Sequence, residues 1–279
     1  MIGTFILIFI LGAIIGSFLN VVIYRYPIML EREWNVQCAE QLHETLPEPS
    51  TEKFNLCVPR SHCPHCKNKI AWWCNIPIFS YIFLRAKCLY CHASISPQYF
   101  VVEIISAILP VLVVMHFGLT PAAYAIILLT WGLIALSFID FNHQFLPDPI
   151  TYILLWLGLI ISTRYILITP EQAIIGAIIG YLFLWIVGKI YLLLRKQEGM
   201  GLGDCKMFAM IGAWVGAVSL LYVLLLSTLL GLIISLSLLV LKKINKSKPI
   251  SFGPFIAIGG WCVIVYGNQI TMWITKCLS

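Results

Sequence analysis

Long apolar runs separated by short polar connections dominate the chain. The first, Ile2 to Tyr24, is long enough to span a bilayer, has no basic segment before it and no small-residue cleavage site, and is followed by positive charge. It reads as an anchor helix with its carboxyl end inside, not a signal peptide. Further runs follow at Tyr99 to Phe117, Ala122 to Ile139, Ile150 to Ile168 and Gln172 to Leu194, and their short connections force antiparallel neighbours. Met207 to Leu241 is about 35 residues, short of two full spans of roughly 20, yet basic loops flank it on both sides. Two short helices, the first entering directly after Asp204, satisfy both facts and leave their boundaries open. A last span runs from about Phe252 to Thr275. The expected fold is therefore all-α and polytopic, with about eight transmembrane helices.

One sizeable polar segment interrupts this pattern, and it divides the chain into a first helix (1–24), a loop domain (25–98) and a membrane domain (99–279). Glu31, Glu33, Glu40, Glu44, Glu48 and Glu52 give its first part the look of a solvated connection. The second part carries Cys63-Pro64-His65-Cys66 and Cys88-Leu89-Tyr90-Cys91. Each C-x-x-C knuckle offers two thiolates on one tight turn, so the pair predicts a closed four-cysteine structural zinc site. Four thiolates leave no open position for catalysis. Redox or stray cysteines are the plainer alternative, and His62, His65, His92, Cys57 and Cys74 are spare.

Composition agrees with the pattern: 60% of the 279 residues are hydrophobic, 11% are charged and the mean hydropathy is +0.93. Charge then orients the spans. Of 18 Lys and Arg, eight fall between Arg25 and Lys87, four between Lys189 and Lys206, and four at Lys242, Lys243, Lys246 and Lys248. Alternate basic loops are the positive-inside pattern, so these loops are cytosolic. The net charge of +6 thus reflects topology rather than nucleic-acid binding. Ten cysteines in such a setting are not a disulfide framework.

Candidate chemistry lies with the acids. The chain has three aspartates, Asp140, Asp148 and Asp204, all at inner ends of spans. Ionisable groups there are functional candidates by default. Asp148 precedes Pro149 and could simply cap a helix; Asp204, after Gly199-Met200-Gly201-Leu202-Gly203, could do the same. Asp140 ends its helix, where the dipole disfavours negative charge, so no cap explains it. If Asp140 faces Asp204, two close carboxylates share one proton, and the charged member can activate water while the other polarises a carbonyl. Gly201 and Gly203 would let a substrate strand approach the backbone. Glu103 would snorkel, pair with a cation or contact substrate. Gly12 and Gly16, with Ser17, Asn20 and Tyr24 near the inner end, read first as a helix-packing face, as do Gly176 with Gly180 and Gly212 with Gly216.

These residues resemble the type IV prepilin leader peptidases of pilus and type II secretion systems. The likeness runs through Gly16-Ser17-Phe18-Leu19-Asn20 to Arg25 and Pro27, both cysteine pairs, Asn75-Ile76-Pro77-Ile78 with Ser80-Tyr81, and Val102-Glu103. It continues through Ile139-Asp140, Leu146-Pro147-Asp148, Gly199 to Lys206 and Phe252-Gly253-Pro254-Phe255. The resemblance implies a G-x-G-D membrane aspartic protease of the bacterial inner membrane, with Asp140 and Asp204 catalytic and Gly201, Gly203, Asp148, Glu103 and Lys206 supporting. Its substrates would be the leader and hydrophobic helix of prepilins and pseudopilins, cut on the cytoplasmic side with no cofactor. Family members commonly N-methylate the new amino terminus with S-adenosylmethionine, although no fingerprint for that cofactor stands in this chain. Asn142 replaces an acid usual in the family. A peptidase without methylation, or an ion-coupled transporter with acids along an ion path, are the competing readings.

Overall fold

A computed structural model describes residues 2–42, 54–197, 199–241 and 251–278. Glu44, Glu48, Glu52 and the basic cluster Lys242, Lys243, Lys246 and Lys248 lie outside the described residues. Those described are helical apart from turns and two isolated antiparallel bridges, and they form two compact units, Met1–Val114 and Met115–Ser279.

In the first unit α1 (Ile2–Leu42) does not stop where the apolar run stops. Its 41 residues make about 60 Å of helix, twice the roughly 30 Å of a hydrocarbon core, so a helical arm carrying Glu31, Glu33 and Glu40 continues beyond the span. The expected solvated connection is thus helical at its start. Its polar composition hides it from a hydropathy reading. Against α1 packs α3 (Pro97–Phe117), and the glycine face sits where it was expected. A Cβ on Gly12 would strike the Ser106 carbonyl and come within 2.8 Å of Ala107 Cα, and one on Gly16 would lie 2.8 Å from Glu103 Cα. Asn20 Nδ2 donates to the Tyr99 carbonyl at 3.0 Å, tying the two helices on the same side. Buried Arg25 donates to the carbonyls of Asn55 (3.0 Å) and Pro59 (2.6 Å), pinning the loop to α1. The loop adds a 3-10 turn, Trp72–Asn75, and the short helix α2 (Phe79–Phe83).

The second unit contains α4 (Pro121–His143), α5 (Asp148–Ser162), α6 (Pro170–Arg195), α7 (Leu202–Val240) and α8 (Gly253–Leu278). Capping fixes where two of them start. The Thr120 hydroxyl accepts from Ala123 N–H ahead of α4, and Thr169 forms a capping box with Gln172 ahead of α6, with Pro170 at the first helical position. The stretch too short for two full spans is α7, broken at Gly216, whose φ of 76° and ψ of 167° are open to glycine at little cost. The break reverses the chain. Leu220 Cδ1 lies 3.1 Å from the Cβ position of Gly212, while neighbouring α8 glycines touch both arms: Gly260 meets Ile211, and Gly259 meets Val223 and Ser227. The first arm begins at Leu202, so Asp204 sits inside its opening turn rather than before it. Gly176 and Gly212 approach so closely that a Cβ on either would strike the other's carbonyl, which is how α6 and the first arm pack.

Among the described residues five helices are long and apolar enough to cross a membrane, α7 being one of them, and Asp148–Ser162 and Gly253–Gly267 are shorter apolar helices. With the two arms of α7 taken separately, the described residues hold eight apolar helical segments, of which α5, the apolar part of α8 and the first arm of α7 are shorter than a full span of about 20 residues. Buried polar groups are answered within the unit: Trp214 Nε1 donates to the Leu154 carbonyl at 2.9 Å, and Trp261 Nε1 to Thr130 Oγ1 at 3.0 Å.

Candidate active site

Asp140 lies in the last turn of α4, 5% exposed. A carboxylate there opposes the helix dipole. Its compensation comes from another helix, because the Gly253 N–H, at the amino end of α8, donates to Asp140 Oδ2 at 3.0 Å. Ser251 Oγ donates to the Asp140 backbone carbonyl at 2.8 Å, and Gln144, in the left-handed region at φ 59°, closes the α4 end by donating its N–H to that same carbonyl. Nothing but hydrogen fits at Gly253: a Cβ would stand 2.5 Å from Oδ2 and 3.1 Å from Cγ of Asp140. Sequence reasoning did not place Gly253 or Ser251 in the site. The one available signal was the Phe252-Gly253-Pro254-Phe255 string.

Asp204, in the first turn of α7, is half-buried and close enough to Asp140 for the two carboxylates to interact electrostatically. The structure thus brings these two acids together from different helices. Neither the Asp204 nor the Asp148 side chain caps a helix. Gly201 holds the N-cap position of α7 and Pro147 that of α5, both without a side-chain cap bond. Instead Asp148 pairs with Lys206, whose Nζ reaches Oδ1 at 2.8 Å and Oδ2 at 2.6 Å, an ion pair linking the first turns of α5 and α7.

The glycines around Asp204 divide by role. A Cβ on Gly199 would enter the Tyr191 ring, and one on Gly203 would sit 3.2 Å from Leu146 Cβ. Both let the chain pack on itself. At Gly201 the nearest foreign atoms are Asp204 Oδ2 at 3.9 Å and Gly203 N at 4.0 Å, so this glycine leaves open space beside the carboxylate.

In the first unit Glu103 neither snorkels nor pairs with a cation among the described residues. It is buried, its Oε2 accepts the Ile78 N–H at 2.7 Å, and Ser17 also hydrogen-bonds to it. Ile78 has φ 64°, so the carboxylate meets a loop held in a conformation rare for a β-branched residue.

The four knuckle cysteines converge. Sulfur atoms of Cys63, Cys66, Cys88 and Cys91 all lie within 4.8 Å of one another, with Cys63 and Cys91 3.8 Å apart. A tetrahedron with metal–sulfur bonds of about 2.3 Å has edges near 3.8 Å, so the cluster fits a zinc-sized ion. The two hairpins match in detail. Cys63 N–H donates to Asn68 O and Cys88 N–H to Ala93 O, and Lys67 and His92 take the left-handed turn position at φ 60° and 55°. Backbone N–H groups of Cys66 and then His65 draw the Cys63 thiol down to about 6. At Cys91 the Ala93 N–H also lowers, but burial and the adjoining sulfurs outweigh it and leave the thiol at about 11.

Two family models match the chain: the bacterial peptidase A24 N-terminal domain over residues 10–117 and the type IV leader peptidase family over residues 127–236. A prepilin leader peptidase/N-methyltransferase of Stutzerimonas stutzeri is 47% identical over 262 residues, covering 94% of this chain and 90% of the relative. The Pseudomonas aeruginosa protein of the same name is 46% identical with the same coverage. That of Neisseria gonorrhoeae is 38% identical over 270 residues, covering 95% and 93%. No solved structure matches.

Proposed function

The chain belongs to the type IV leader peptidase family, and from that premise we propose that it cleaves the leaders of type IV prepilins and pseudopilins with Asp140 and Asp204 as its catalytic pair. The observation that carries this reading is the meeting of two acids from separate helices of one unit, one of them locked by the Gly253 N–H. A hydrogen-bond donor aimed at Asp140 suits its charged form, so Asp140 acts as base and Asp204 carries the proton. Asp140 takes a proton from water as the oxygen attacks the scissile carbonyl, and Asp204 donates to the carbonyl oxygen. Collapse of the tetrahedral intermediate breaks the C–N bond: the leaving amine takes its proton from Asp140 while a hydroxyl of the intermediate returns its proton to Asp204, leaving the carboxyl product and restoring the singly protonated pair. The leader strand lies along the open backbone at Gly201. Lys206 and Asp148 hold that turn, and Gly203 seats it on Leu146.

The same reading gives the chain a second reaction, N-methylation of the new amino terminus by S-adenosylmethionine, supported by the N-methyltransferase in the names of its relatives. Peptide hydrolysis belongs to the 99–279 domain. Cys63, Cys66, Cys88 and Cys91 hold a structural zinc that ties two hairpins of the 25–98 loop together. Buried Glu103 supports that region by holding the Ile78 loop against α3. The protein sits in the bacterial inner membrane with its site at the cytoplasmic face, an orientation that its alternate basic loops support.

Co-expression with a prepilin, read by intact mass of the product, tests this function. Expected are loss of the leader and gain of one methyl group on the mature amino terminus. An uncut prepilin would refute the peptidase reading, and a cut but unmethylated product would refute the second activity.

A further inference from the structure

Between the two cysteine hairpins the loop exposes large apolar side chains: Trp72 is 76% exposed, Phe79 74%, Phe83 88%, with Trp73 and Ile82 above half. In a polar loop such a cluster marks a contact surface. Its position decides what it contacts. The Ile78 N–H is bonded to Glu103, six residues and about 9 Å along α3 from Pro97, and the Tyr81 ring stacks on Phe100 at 4.9 Å. The 78–83 backbone therefore runs alongside the first two turns of an apolar spanning helix rather than out beyond its end. Tyr81 faces inward, while Phe79 and Phe83, four residues apart, share the opposite face of α2. Arg85 and Lys87 follow directly and are exposed, matching anionic headgroups.

We propose that the 72–83 segment is an interfacial membrane anchor. Trp72, Phe79 and Phe83 insert at the headgroup boundary of the leaflet from which α3 enters, and Arg85 and Lys87 meet its phosphates. Aromatic side chains at this level are the ones that favour the interface. The anchor fixes the four-cysteine cluster flat against the bilayer instead of leaving it on a free loop.

The test places a photoreactive benzoylphenylalanine at position 79 or 83 of the full chain, in vesicles of phosphatidylethanolamine and phosphatidylglycerol carrying a clickable phospholipid. Because both rings are exposed, the replacement removes no internal packing. Lipid adducts at 79 and 83 should exceed those at exposed Asn68, on the first cysteine hairpin, by about tenfold. Three results would each overturn the anchor: adducts to a second copy of the chain, adducts to added prepilin, or lipid labelling no greater than at position 68.

Discussion

Gly253→Ala is the sharpest perturbation of the site. The new methyl would lie 2.5 Å from Asp140 Oδ2, closer than real Cβ atoms come, and 3.1 Å from its Cγ, so the carboxylate or the start of α8 must shift. Clearing the clash needs a displacement approaching 1 Å and removes the 3.0 Å bond from the Gly253 N–H. A hydrogen bond to a charged group contributes about 1.5–3 kcal/mol, roughly one to two decades in rate. A 1 Å misplacement of a reacting group costs on the order of a hundredfold by itself. The two effects overlap, giving an expected fall of about 10² to 10³ in kcat. KM should change little, since Asp140 contacts the transition state more than the bound leader. The assay is prepilin cleavage in proteoliposomes, with Gly188→Ala as control, a helical glycine whose nearest foreign contact is Met200 Cβ at 3.8 Å. If folded Gly253→Ala cleaves within twofold of wild type, the Gly253 N–H does not position Asp140 and the assignment of base and acid fails.

Two further variants probe the frame around the site. Gly212→Leu forces a side chain into the Gly176 backbone, and overpacking of this kind should cost at least about 1–3 kcal/mol, read as a lowered midpoint of thermal unfolding in detergent. Cys63→Ser combined with Cys88→Ser takes one ligand from each hairpin. Metal analysis of the purified protein should fall from one zinc per chain to none, with faster proteolysis in the 54–96 loop, while a variant of the spare Cys74 keeps its zinc.

What the sequence made legible follows from how local each signal is. The spans and cysteine hairpins were readable because their information lies within one run or one turn. A reversal within 207–241 was inferable because 35 residues cannot make two full spans, but its place at Gly216 was not, since Gly212 and Gly216 read as a helix-packing face. The α1 arm beyond Tyr24 was missed because a solvated helix has no apolar stripe to announce it. At the site, Asp140 and Asp204 stood out as acids at membrane edges. Their partners did not, because Gly253 acts through a backbone N–H that no side chain signals, across 113 residues. Asp148 read as a helix cap from its Pro149 neighbour, whereas its real partner, Lys206, lies 58 residues away. Glu103 was expected to snorkel, pair with a cation or contact substrate because a backbone partner is invisible in a sequence, and its carboxylate accepts the N–H of Ile78.

The central claim is that Asp140 and Asp204 act as one catalytic pair while Asp148 serves only to brace Lys206. Purified Asp140→Asn, Asp204→Asn and Asp148→Asn variants, compared for rate of leader cleavage in proteoliposomes, test it most directly. The first two should lose cleavage entirely within detection. Asp148→Asn, which breaks a part-exposed ion pair of at most about 1 kcal/mol, should stay within about tenfold of wild type. Cleavage surviving in either of the first two, or abolished to the same extent in the third, would contradict the account.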